Sequence, residues 1–187
     1  MPKRIYISIK PLKTKKTIHD GIKLRGFFRL QITEMKNGKK EVVGDSGWNE
    51  NAVTNDGIQQ YLVNWILGDT ANGKSVVRMA LGTGTQPGAT DTTLNGELFH
   101  KSTNATTNSR ASVSTSVVAS KTAQFTAAFA SANSFVTATA NISCIGLFNT
   151  YLTSLANAGT LFAGNTFASS SVATNQECNA TYQIRFS

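Results

Sequence analysis

Residues 68 to 75 read GDTANGKS, which fits the pattern GxxxxGK[ST] with Gly68, Gly73, Lys74 and Ser75 in register. In a nucleotide-binding loop these residue types act together. Glycine-rich backbone N–H groups cradle the phosphates, the lysine reaches the outer ones, and the hydroxyl binds magnesium. That chemistry needs a buried strand before the loop and a helix directly after it, so that the helix N-terminus faces the anion. The flanks here run the other way. Before Gly68, TNDGIQQYLVNWIL places Ile58, Leu62, Trp65 and Ile66 on one helical stripe. Thr54 or Asn55 can cap its start, Asp56 sits in the first turn, and Gly68 stops it. After Ser75, VVRMALGTG alternates Val77, Met79 and Leu81 with Val76, Arg78 and Ala80, a strand pattern. Helix–loop–strand is the reverse of a phosphate loop, and no nucleotide is expected there.

Other reactive groups are sparse. His19 adjoins Asp20 in a lysine-rich connection, and His100 follows Glu97 by three residues in a loop region; both are read as surface residues. Asp91 and Glu97 are the only carboxylates between Asp69 and Glu177. A glycosidase would need two opposed carboxylates, but Asp91 is better placed to cap a Thr-rich turn. There is no G-x-S-x-G elbow, no HExxH and no paired CxxC. Cys144 and Cys178 are read as two half-buried reduced thiols in strand segments. The expectation is a non-enzyme with no catalytic residue, no metal site and no cofactor.

The elements around these residues indicate a mainly β fold. IYISIK (5–10) puts Ile5, Ile7 and Ile9 on one face. LRGFFRLQITEM puts Phe28, Leu30 and Ile32 on one face and Phe27, Arg29 and Gln31 on the other. Asn37-Gly38 is a strong hairpin signal, with KKEVVG returning. Gly82 to about Asn108 reads as a long loop with a short element around GELFHK. TAQFTAAF, SFVTATANISCIGLFN, TLFAGNTF and ATYQIRF read as strands, the second with a change of face near Ile145 that suits a bulge or deeper burial. The expected fold is an antiparallel β-sandwich (jelly-roll-like) with one short α-helix around residues 55–67. Residues 1–24 form a basic arm and 25–187 the sandwich domain. A chain of 187 residues is long enough for one sizeable core. No apolar stretch reaches the length of a membrane-spanning helix, so no membrane partner is expected, and the N-terminus lacks the apolar centre and cleavage site of a secretory signal.

Charge is distributed unevenly. Residues 1–50 hold twelve Lys/Arg and five Asp/Glu, whereas residues 51–187 hold six and five. After Lys101 only Arg110, Lys121, Glu177 and Arg185 are charged. So neutral a half suits a surface covered by another copy of the chain, with a trimer favoured. Lys3, Arg4, Lys10, Lys13, Lys15 and Lys16 concentrate positive charge at the start and are the expected docking residues for an acidic surface. Tyr6, Phe27 and Phe28 lie among these charges and would have to stack on bases in a nucleic-acid complex. Phe28 belongs to an apolar strand face, so packing is the better reading of the pair, and nucleic acid is the weaker candidate partner.

Two stretches together carry a family resemblance. MALGTGTQPGATDTTLNGEL (79–98) resembles a segment of tailed-bacteriophage virion structural proteins: an apolar strand, a GTGT turn, a proline, a T-D-T-x-L run and Glu-Leu. ISCIGLFNT, TLFAGNTF and the closing YQIRFS are similar to the last strands of those proteins, and NAVTNDGIQQYL to the start of their single helix. The likeness covers roughly residues 48–187 and leaves out the lysine-rich start. It implies a non-enzymatic β-sandwich of the virion, assembled in the host cytoplasm and used in head decoration, collar or tail parts. A capsid decoration or cement protein is the reading expected here, docked on the major capsid protein or a neighbouring virion protein. Alternatives are a tail, collar or fibre adaptor, and a glycan-binding module that would need an exposed aromatic such as Tyr151 or Phe99. In the GTGT segment, Gly82 and Gly84 are read as supplying a tight turn that Pro87-Gly88 continues.

Overall fold

Phe28, Leu30 and Ile32 alternate with Phe27, Arg29 and Gln31, and in the computed structural model this stretch is strand β1 (Leu24–Lys36), with the first three residues buried. The structure describes residues 23–64, 74–85, 87–98, 100–101, 108–149 and 159–187. Asn37 and Gly38, at φ 51° and 75°, turn β1 into β2 (Lys39–Asp45). Two successive left-handed residues make the hairpin turn whose twist matches paired strands. The expected strand at residues 5–10 lies outside the described residues.

The remaining strands follow in chain order. They are β3 (Asn49–Val53), β4 (Arg78–Gly82), β5 (Glu97–Leu98), β6 (His100–Lys101), β7 (Asn108–Ser109), β8 (Ala111–Ser112) and β9 (Ser114–Ala119). After them come β10 (Thr122–Phe129), β11 (Ala140–Phe148), β12 (Leu161–Val172) and β13 (Glu177–Phe186). They form an antiparallel β-sandwich. One sheet runs β3-β1-β13-β10-β9, with β2 also on β1; the other runs β5-β4-β11-β12-β3, with β8 also on β4.

Two chain segments change sheets. In β3, Asn49–Asn51 pairs with β1 and then Ala52 and Val53 pair with β12. Further on, β8 lies on β4 and β9, one residue later, lies on β10. The sandwich is therefore joined along both sides. The inward faces meet in one core, where Phe28 packs 5.6 Å from Phe167 and 6.3 Å from Tyr182 between ring centroids. Each such side chain contributes roughly 1.5–3 kcal/mol on burial.

The helix begins where the sequence places it. Thr54 caps it: its Oγ1 accepts from the Gly57 N–H at 2.9 Å and donates to the Leu161 carbonyl at 2.6 Å. One α-helical turn, Asn55–Gly57, widens into a π-helix, Ile58–Val63. The wider turn changes which side chains point inward. Ile58, expected on the buried stripe, is 40% exposed, while Tyr61 is buried with its ring 4.8 Å from Phe162. Trp65, Ile66 and Gly68 lie outside the described residues.

Other boundaries also differ from the periodicity. Regular pairing of β4 starts at Arg78 and leaves Val77 40% exposed. β11 starts at Ala140, so Val136 and Ala138 precede it. Its change of face is real: register shifts fall between Ile142 and Cys144 and between Leu147 and Phe148. Cys144 through Phe148 are all buried, because both faces of β11 are covered.

Cys144 and Cys178 are free and more deeply buried than half, at 0% and 2% exposure. Burial pushes both thiols up, Cys178 to about 12. Since the thiolate is the reactive form, neither should react with an aromatic disulfide reagent in the native protein at pH 8. Both should react once guanidinium unfolds the chain; prompt labelling of the native protein would contradict this placement.

Candidate functional site

The second sheet is apolar on its outer side as well. Ala80, Cys144, Phe148 and Leu161 form a cluster distinct from the main core, and Leu94 belongs to it at 2% exposure. Leu94 comes from the long connection after β4. Residues 83–97 thus fold back over the sheet as an ordered cover, and the segment that carries the family resemblance is that cover.

Its attachment points can be followed residue by residue. The Thr83 N–H donates to the Gly96 carbonyl at 3.0 Å, and the Leu161 N–H to the Thr92 carbonyl at 3.2 Å. The Asn55 N–H donates to the Ala89 carbonyl at 2.7 Å, tying the start of the helix to the same cover. Pro87 is buried over β12, where a Cβ on Gly164 would come 2.9 Å from its Cγ. Asp91 caps its turn as expected, with Oδ2 accepting from the Gly88 N–H at 2.8 Å.

The GTGT glycines have a different task from the one expected. Neither Gly82 nor Gly84 adopts positive φ; Gly96 does, at 64°. A Cβ on Gly82 would meet the Asn95 carbonyl oxygen and Cys144 Sγ, each at 2.8 Å, and one on Gly84 would collide with Asn95. Glycine is needed because two backbones touch, and the turn itself is made at Gly96.

The cover is locked at its far end by charge. Arg110 Nη2 donates to Glu97 Oε2 at 2.9 Å, and Nε donates to Oε1. The two side chains are 0% and 3% exposed. The guanidinium lies 3.5 Å from the centroid of Phe148, stacked on the ring that Leu94 also covers. Burial pushes the Glu97 carboxyl above the usual carboxylate range, and the hydrogen bonds and charge of Arg110 only partly reverse this. Glu97 is thus engaged by Arg110, Asp91 is exposed and engaged by Gly88, and the two do not act as a pair.

The other singled-out residues are dispersed. Lys3, Arg4, Lys10, Lys13, Lys15 and Lys16 lie outside the described residues, as do Tyr6, His19, Phe99, Tyr151 and Gly68–Gly73. Lys74 Nζ donates to Thr160 Oγ1 at 2.6 Å, and its backbone N–H donates to the Gln60 carbonyl at 3.0 Å. Ser75 is exposed. A helix precedes this segment and β4 follows it, the order expected from the sequence. His100 falls in β6. Phe28 is core, whereas Phe27 lies on the outer face with the Arg185 and Arg25 guanidinium carbons 4.2 and 5.8 Å from its centroid. Arg110 and Leu94 were missed by sequence reasoning. The available signal was Arg110 itself, a lone cation in a half almost free of charge.

Two hollows remain on the surface. A cleft of about 700 Å³ is lined by Arg78, Ser112, Thr126, Asn133, Asn179 and Thr181, among others. An apolar hollow of about 420 Å³ opens at the end of the sandwich beside Leu24, Leu62, Phe125, Phe162, Ile184 and Phe186. Among the described residues no group of three or more His, Cys, Asp or Glu is arranged to hold a metal ion, and no helix is long and apolar enough to cross a membrane. No family model, curated protein or solved structure matches the chain.

Removing either partner of the buried pair strands the other charge. Glu97→Leu or Arg110→Met alone should each lower unfolding free energy by about 3–5 kcal/mol, and the double variant should recover most of that loss. Guanidinium unfolding of the four proteins measures it. Single variants as stable as the parent would contradict the role given to the pair.

Proposed function

We propose that the chain is a non-enzymatic structural protein of a bacteriophage virion: a capsid-associated decoration or cement protein acting as a homo-oligomer and docking through its basic arm. One observation carries this reading. The segment that resembles virion proteins has a packing task at every distinctive position: Gly82 and Gly84 at a backbone contact, Pro87 on Gly164, Leu94 in an apolar cluster and Glu97 on Arg110. Such a segment makes a rigid shell part without needing a ligand. The mechanism is mechanical. Neutral surface from the C-terminal half meets other copies, and Lys3, Arg4, Lys10, Lys13, Lys15 and Lys16 meet the acidic surface of the major capsid protein or a neighbouring virion protein.

The test changes charge and leaves length alone. A variant with those six residues replaced by glutamate is compared with the parent for binding to empty capsid shells and to duplex DNA across a salt series. Saturable shell binding by the parent, lost in the variant, is expected, together with weak DNA binding. A protein that ignores shells but shifts DNA with a steep salt dependence would overturn the proposal. Binding to tails and not heads would move it to a tail, collar or fibre adaptor. Sedimentation at micromolar concentration should give an oligomer, with a trimer favoured over a dimer.

The 700 Å³ cleft favours a second reading, a glycan-binding module, because hydroxyl and amide side chains line it beside Arg78. Glycan-array binding lost in Asn179→Ala with the fold intact would support that reading over the first.

A further inference from the structure

We propose that residues 5–10, IYISIK, add as a sixth strand to the open edge of β9 in their own chain and close the apolar hollow at the end of the sandwich. The inference goes beyond the virion reading and does not rest on it.

β9 is an edge of unusual character. It pairs with β10 on one side, and among the described residues no strand pairs with its other side. Extended chain reaches only its beginning, where the Val113 N–H donates to the Val77 carbonyl at 3.2 Å. From Ser114 to Ala119 every residue is exposed, Val117 at 80% and Val118 at 48%. Natural edges of this kind are normally guarded by charge or proline. Here residues 111–120 contain neither; a bulge at Val118 is the one irregularity. The edge thus has backbone groups available for pairing and no charge to repel a lysine-rich segment.

The face adjoining this edge has the matching chemistry. Val117 stands opposite Ala123 and Thr115 opposite Phe125, so Thr115 and Val117 point to the inner side of the sheet. That side opens onto the 420 Å³ hollow, lined by Thr115, Ala123, Phe125, Ile184 and Phe186. A strand laid along β9 with Ile5, Ile7 and Ile9 inward would continue the apolar surface over the hollow. Tyr6, Ser8 and Lys10 would face outward, as the strand period requires.

The tether fits. Lys23 pairs with Ser187 through two hydrogen bonds of 2.8 and 3.0 Å, at the same end of the sheet where Phe186 bonds Lys121. From β1 across β13, β10 and β9 to a new strand is four inter-strand steps, about 19 Å. Pro11 to Lys23 is 13 residues, which extend to about 43 Å. The segment therefore reaches the edge in either direction, at the high local concentration that a short tether confers.

Engineered cysteines test this. Ile5→Cys, Ile7→Cys and Ile9→Cys are each combined with Val117→Cys in the full chain and oxidised. A reference pair joins Ile7→Cys to Val42→Cys on the distant β1–β2 hairpin. An intramolecular disulfide in at least one Val117 pair, well above the reference yield, is expected. Amide exchange at Ser116–Ala119 should accelerate on the order of tenfold when residues 1–10 are removed. Equal yields in all pairs, or unchanged exchange, would overturn the proposal. Cross-links found only between molecules would also overturn it, assigning the edge to the arm of a second copy.

Discussion

The outer face of the second sheet is apolar, and everything built on that sheet depends on its being covered. Phe148 carries Leu94 and Leu161 in its cluster and bears the Arg110 guanidinium on its ring. Without residues 83–97 in place, this face would present Ala80, Cys144, Phe148 and Leu161 to water. The ion pair between Glu97 and Arg110 is the device that anchors the cover. Its worth lies less in attraction than in the cost of leaving either charge buried alone. Because the same cover touches the start of the helix through Ala89 and β12 through Thr92, it joins three elements that are distant in sequence.

The first sheet is organised differently. Its outer face is polar, with Arg25 bound to Glu50 and Arg29 to Asp45, and Gln183 held by Gln124 and Arg185. Hydrogen bonding to Arg29, aided by the Gly47 N–H and Gln31, holds the Asp45 carboxyl well below the usual carboxylate range despite some desolvation. Such half-exposed pairs contribute little stability each, and they orient β2 and β3 along β1. The two sheets thus divide the work: one is closed by its own chain, the other faces outward. In the proposed virion role the outward parts make contacts and the closed part supplies stiffness.

The uneven charge acquires a spatial meaning. The C-terminal half supplies β8 through β13, and among these β9 is exposed from end to end without a charged residue. Arg110, one of the few charges in this half, is spent entirely in the interior. Solubility therefore rests on the basic start of the chain and the β1–β2 hairpin, where Lys36, Lys39 and Lys40 are exposed. This is a physical reason for the arm and the neutral half to occur in one molecule.

Much of the fold is written in local patterns. Alternation sufficed for β1, β10 and β13, the Asn37-Gly38 dipeptide for the hairpin, and Thr54 for the start of the helix, because each depends on neighbours within a few residues. The order helix, loop, strand around Lys74 was legible for the same reason. What alternation could not specify was anything set by a distant partner. β3 and β9 lack an apolar rhythm because one bridges sheets and the other is an edge exposed along its length. The helix widened into a π-turn because Tyr61, rather than Ile58, meets Phe162 across the core. The role of the GTGT glycines was decided by the backbone of Asn95 lying against them, and that of Glu97 by an arginine 13 residues away. Local sequence determined which residues form strands and turns. Only the tertiary structure decided which faces would be covered, since covering depends on groups that the chain brings together from afar.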